Sequence, residues 1–113
     1  MNRKALINAT VIGTLLQLIM ITAGHFVPAV AAQFAIVGML ISLVAGLLYA
    51  RAAKGGWGDS LIGGLIAGGV CALIGIAASV LWGDTAQNIL LIGTAGSAVA
   101  GAVGGAVGKL LAK

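Results

Sequence analysis

With 113 residues, of which 61% are hydrophobic and 7% charged, this chain lacks the polar side chains to cover a soluble core of its size. A bilayer is the expected solvent, and spans of about 20 apolar residues leave room for four helices and no separate soluble domain. The net charge of +4 is not read as a nucleic-acid signal, because no basic stripe carries interleaved aromatic residues.

Arg3 and Lys4 lead into a first apolar segment from about Leu6 to Phe26. Thr10, Thr14, Gln17 and His25 fall near one face of it, with Asn8 close to its basic end. Polar side chains in hydrocarbon usually face the protein interior. Two readings follow. The stripe makes hydrogen bonds to neighbouring helices, worth about 0.6 kcal/mol each on average, or it lines a polar path for a small solute. Gln17 carries the most weight, because an amide at mid-depth must find a partner. His25, the sole histidine, sits at the outer end, where it reads as a hydrated or capping group rather than a metal ligand. Met1 to Ala31 also resembles a secretory signal, with Ala29-Val30-Ala31 as its cleavage site. The apolar run is long for such a signal, and an internal segment repeats it, so the first helix is expected to be retained.

The second segment runs from about Val30 to Ala50 and carries Gly38, Ser42 and Gly46 at every fourth position. That spacing puts all three on one helix face. In the loop that follows, Gly55 and Gly56 suit a helix C-cap and turn, and Asp59 or Ser60 suits the N-cap of the next helix. The third segment, about Leu61 to Trp82, holds Gly64, Gly68 and the sole cysteine, Cys71, read as a small packing residue. Trp57 and Trp82 fall at opposite membrane edges as interface anchors, with Arg51 and Lys54 beside the first of them.

The fourth segment, about Asn88 to Leu111, places Gly93, Ser97, Gly101 and Gly105 on one face and Gly104 and Gly108 on a second. Lipid gives helices no hydrophobic reason to associate, so small residues that let backbones approach supply the contact instead. The spacing does not say whether the partner lies inside the chain or in another subunit, but a single neighbouring helix could use only one of these two faces, which leaves the other for self-association.

The second half of the chain repeats the first. Laying Leu61 on Leu6 aligns the halves without a gap as far as Lys109 on Lys54, with identities that include Gly13, Gly38, Ser42, Ala45 and Gly46. All Lys and Arg lie at the ends that four such helices would share: Arg3 and Lys4, Arg51 and Lys54, Lys109 and Lys113. The positive-inside rule then puts both termini in the cytoplasm. A transmembrane barrel does not fit, because its strands alternate apolar and polar residues.

Chemistry is sparse. Asp59 and Asp84 belong to connections, so no carboxylate lies within a span, whereas proton-coupled transporters place ionisable groups there. No nucleophile motif, phosphate loop or dinucleotide fingerprint occurs. No catalytic residue, cofactor or metal is expected.

Ala45-Gly46, Arg51, Gly56-Trp57 and Gly64, followed by the glycine run from Gly101 through Gly104, Gly105 and Gly108, together resemble small uncharacterised four-helix bacterial membrane proteins with a glycine-rich last helix. The resemblance implies a bacterial inner-membrane location and brings no catalytic residues.

The expectation is an all-α integral membrane protein, one domain over residues 1–113. It has four spans in two tandem, similarly oriented hairpins, about 6–54 and about 61–109, with both termini inside. Its leading function is non-enzymatic: a structural or accessory subunit in the lipid bilayer, self-associating as a homo-oligomer or within a larger membrane complex. The alternatives are a minimal channel or small-solute transporter with a path along the first helix, and a holin-like pore former.

Overall fold

The computed structural model describes residues 2–83 and 85–111, which places Asp84 and Lys113 outside the described residues. The described chain contains α1 (Arg3–Phe26), a single-turn α2 (Pro28–Ala31), α3 (Phe34–Ala53), α4 (Trp57–Leu81) and α5 (Ile89–Leu111), with no strand among the described residues. The four longer helices are each long and apolar enough to cross a membrane. Helices of 20 to 25 residues are about 30–37 Å long, which matches the 41 Å long axis of the molecule.

Local chemistry explains most boundaries. Asn2 caps α1, its Oδ1 accepting the Ala5 N–H at 3.0 Å. The helix stops at Val27, which is extended at φ −125° and ψ 104°, as the residue before a proline prefers. Pro28 opens α2, where its missing N–H is harmless. The segment expected to start near Val30 is therefore broken, and the long helix α3 begins only at Phe34.

Two capping expectations are corrected. The left-handed residue that closes α3 is Lys54, at φ 52° and ψ 37°, rather than Gly55 or Gly56. Gly56 is instead the N-cap of α4, with no side-chain bond, so α4 starts at Trp57 and takes Asp59 and Ser60 into its first turn. There the carboxylate faces the positive end of the helix dipole.

α1 and α4 run one way and α3 and α5 the other, as the pairing of Asn2 with Tyr49 and of Gly64 with Gly101 and Gly105 requires. Arg3, Lys4, Arg51, Lys54 and Lys109 consequently gather at one end of the bundle. The Pro28 turn and the α4–α5 connection form the other end, which carries no Lys or Arg. α4 and α5 make the most extensive pairing, α3 packs on both, and α1 packs on α3 and α4. The second hairpin is thus more tightly closed than the first.

The core is made of small residues. Ala5, Ala9, Ala45, Ala67 and Cys71 form it with Tyr49, and Gln17, Ser42 and Ser60 are also enclosed. Large apolar side chains point outward, among them Ile19, Leu81 and Leu91. This inverts the soluble pattern. It leaves close backbone packing, rather than interlocking of bulky side chains, to hold the helices together.

Candidate functional site: a cleft in the half of the bundle away from the basic end

The small residues of α5 are divided between two neighbours. Gly101 and Gly105 face α4: a Cβ on Gly101 would run into the Gly64 carbonyl, and one on Gly105 into the Ser60 carbonyl. Gly104 and Gly108 face α3, where a Cβ would strike the carbonyls of Leu43 and Leu47. Gly46 closes the triangle, since its Cβ would stand 2.8 Å from the carbonyl carbon of Gly101. Gly68 lies between α5 and α3, its Cβ meeting Gly101 Cα at 2.7 Å and the Ser42 carbonyl oxygen at 3.0 Å. Both small faces of α5 are therefore occupied inside this chain. The expectation that one neighbour would leave the other face free did not reckon with two neighbours at once.

Contact of this kind stops halfway along the bundle. A Cβ on Gly38 would meet only side-chain atoms, Gln17 Oε1 at 3.6 Å and Met20 Cε at 3.7 Å. On Gly93 it would meet Ile76 Cδ1 at 2.7 Å, and on Gly96 only Met39 Cε at 3.6 Å. Gly38 and Gly93, expected to pack against helix backbone, line an opening instead.

That opening is a cleft of about 630 Å³ between the first halves of α3 and α5, backed by α1 and α4. Its volume falls within the range of small-molecule sites, roughly 300–1,000 Å³. Its walls are apolar, with Met20, Ile21, Met39, Ile76, Ile89 and Ile92 prominent. Among the described residues, none that lines it is ionisable. Rim residues such as Ala35, Met39 and Ile92 are exposed, so the cleft opens to the surroundings. Towards the charged end it is closed by the glycine contacts around Gly46 and Gly101.

Four polar side chains line it. Ser79 and Thr85 satisfy each other, their hydroxyl oxygens 2.6 Å apart. Ser97 is buried on α5. Gln17 is 2% exposed and makes the most structured contacts. Its Nε2 donates to the Gly38 carbonyl at 3.1 Å and reaches Ser42 Oγ at 3.4 Å. Ser42 in turn donates to the Gly68 carbonyl at 3.1 Å, and the Cys71 thiol donates to the same carbonyl at 3.2 Å. One node of polar groups thereby joins α1, α3 and α4 beside the cleft.

The remaining residues of the α1 stripe lie elsewhere. Thr10 is half-buried, and Thr14 Oγ1 is buried with no hydrogen-bond partner. His25 is exposed at the end without Lys or Arg, its ring centroid 4.2 Å from that of Trp82 and 5.0 Å from that of Phe26. None of these three lines the cleft. Trp57 and Trp82 are half-exposed at opposite ends of α4, and Arg51 and Lys54 are exposed at the charged end.

Sequence reading missed Met20 and Met39 as wall residues, and it missed Tyr49. Tyr49 is the sole tyrosine, and a phenol near a helix end was a signal that could have marked it. Among the described residues no three His, Cys, Asp or Glu side chains gather as metal ligands would. Compared with known protein families, curated proteins and solved structures, the chain matches none of them.

Proposed function

We propose that this chain is a non-enzymatic, multi-pass component of a bacterial inner membrane that holds a small apolar molecule in the outer half of its bundle. The supporting observation is the cleft: a mostly apolar space of about 630 Å³ with an open rim and a floor of buried polar groups. The positive-inside rule, applied to the basic end of the bundle, puts both termini in the cytoplasm and the cleft in the outer leaflet. A ligand then enters from lipid between α3 and α5, where the rim is exposed.

This reading keeps the accessory-subunit role expected from the sequence and gives it a task. Self-association has to use surfaces other than Gly46, Gly64, Gly101 and Gly105, because each already faces backbone of its own chain. It also favours a pocket over a channel, since the space is blocked towards the charged end. Successive spans joined by short connections account for the alternating helix directions. Divergence between the halves, such as Gln17 against Ala72, accounts for an amide supplied to the polar node by the first half alone.

Uptake of decane by the protein in lipid nanodiscs, referred to empty nanodiscs, tests the reading. The wild type should retain excess decane. Gly96→Leu, which places a side chain in the cleft, should not. Equal uptake by the two proteins would overturn it.

A further inference from the structure

The amide of Gln17 cannot be turned round. A backbone carbonyl only accepts, so the group 3.1 Å from the Gly38 oxygen must be the NH₂. Ser42 has spent its proton on the Gly68 carbonyl and so accepts from that same NH₂. Gln17 Oε1 is thereby directed away from the polar node. It is 3.6 Å from where a Gly38 Cβ would stand and 3.3 Å from a Gly75 Cβ, and both glycines line the cleft. The described residues supply this oxygen with no donor. An amide oxygen that faces an apolar cleft without a donor is less well satisfied than one that has a donor, so a molecule that brings one is favoured over a molecule that does not.

From this we infer that the cleft selects a neutral apolar molecule with a hydroxyl at its leading end, which donates to Gln17 Oε1. The inference rests on the ligand-holding reading above and adds the ligand's chemistry. Neutrality follows from the lining. Among the described residues no carboxylate lines the cleft, so an ammonium there would be buried without a counter-charge from them. A carboxylate ligand would set two like-signed oxygen dipoles against each other. An alcohol meets both conditions, and its chain matches the walls formed by Met20, Ile21, Met39, Ile76, Ile89 and Ile92. The buried hydroxyl of Ser97 lines the same space and offers the ligand oxygen a donor in return.

The test compares 1-decanol with decane by titration calorimetry on nanodisc-embedded protein, with empty nanodiscs as the partition reference. The wild type should prefer the alcohol by about five- to tenfold, the size of one hydrogen bond. Gln17→Leu should lose that preference and keep decane binding. Carbonyl-labelled glutamine gives a readout without altering the site. With Gln33 and Gln87 replaced by alanine, the Gln17 C=O infrared band should move to lower wavenumber with decanol and stay put with decane. Equal binding of the two probes, with no band shift, overturns the hydroxyl assignment and leaves the cleft as an unselective apolar pocket. A preference that persists in Gln17→Leu assigns the acceptor elsewhere and overturns it too. A band already at its low position before any probe, and unmoved by decanol, shows that water occupies the site and no ligand displaces it, which also overturns the assignment. Binding of neither probe refutes the ligand-holding reading itself.

Discussion

Tyr49 donates its phenol proton to Asp59, 3.0 Å from either carboxylate oxygen, and accepts the backbone N–H of Asn2 at 3.2 Å. A side chain with no exposed surface therefore ties together the start of α1, the end of α3 and the start of α4. Its ring lies against Gly63, where any Cβ would collide with it. This clamp holds the charged end, while the opposite end stays open as the cleft.

Tyr49→Phe should lower thermal stability without changing helix content. A hydrogen bond to a charged group is worth about 1.5–3 kcal/mol, and the substitution leaves Asn2 N–H without this acceptor. The midpoint of thermal unfolding in one detergent, followed by circular dichroism, checks it. An unchanged midpoint would mean that the clamp contributes nothing.

Glycines in the two halves of the bundle should respond in opposite directions. Gly101→Leu forces α4 and α5 apart and should lower stability by several times the roughly 1–3 kcal/mol of ordinary overpacking. Gly96→Ala meets only Met39 Cε at 3.6 Å and should be neutral or stabilising by up to about 1 kcal/mol, the helix-propensity difference. Leu110→Ala, on an exposed side chain, should do little. Unfolding midpoints and size-exclusion profiles of the three variants decide this. A Gly101→Leu protein of unchanged midpoint but altered oligomer size would show that this face works between chains.

Gln17→Leu should fold. The Gly38 carbonyl and Ser42 Oγ retain other partners, and interhelical hydrogen bonds in membranes average about 0.6 kcal/mol. A drop in stability of under about 2 kcal/mol is expected for the bonds that Nε2 makes. Complete loss of folded protein would instead make Gln17 a keystone of the bundle and its free oxygen incidental.

Topology is open to a direct check. A reporter fused after Lys113 should be active in its cytoplasmic form and silent in its periplasmic form, and a reporter in the connection near Gly83 should behave the opposite way. Periplasmic activity at the C-terminus would place the cleft in the inner leaflet.

Much of the architecture was legible along the chain. Helix type, number and approximate extent follow from apolar runs of bilayer length, and hydrophobicity adds residue by residue without reference to neighbours. Asn2 and Pro28 act on backbone within a few positions of themselves, and they set the ends of α1 by local chemistry alone. The spacing of Gly38, Ser42 and Gly46, and of Gly101 and Gly105, likewise marks a helix face, because helical geometry alone determines it.

What each face meets was decided only by tertiary structure. The sequence marks Gly38 and Gly46 as equals, yet one lines a cleft and the other touches the backbone of Gly101. The difference arises from the divergence of α3 and α5, a property of two helix axes that no single residue encodes. The two small faces of α5 likewise became internal because α3 and α4 lie on either side of it. Gln17 was recognisable as a buried amide in need of partners. That its nitrogen is held and its oxygen left facing the cleft depends on the Gly38 carbonyl and the Ser42 hydroxyl, 21 and 25 residues away. Periodicity reports which side of a helix is small or polar. Only the packing of one helix against another determines whether that side meets backbone, a donor or open space.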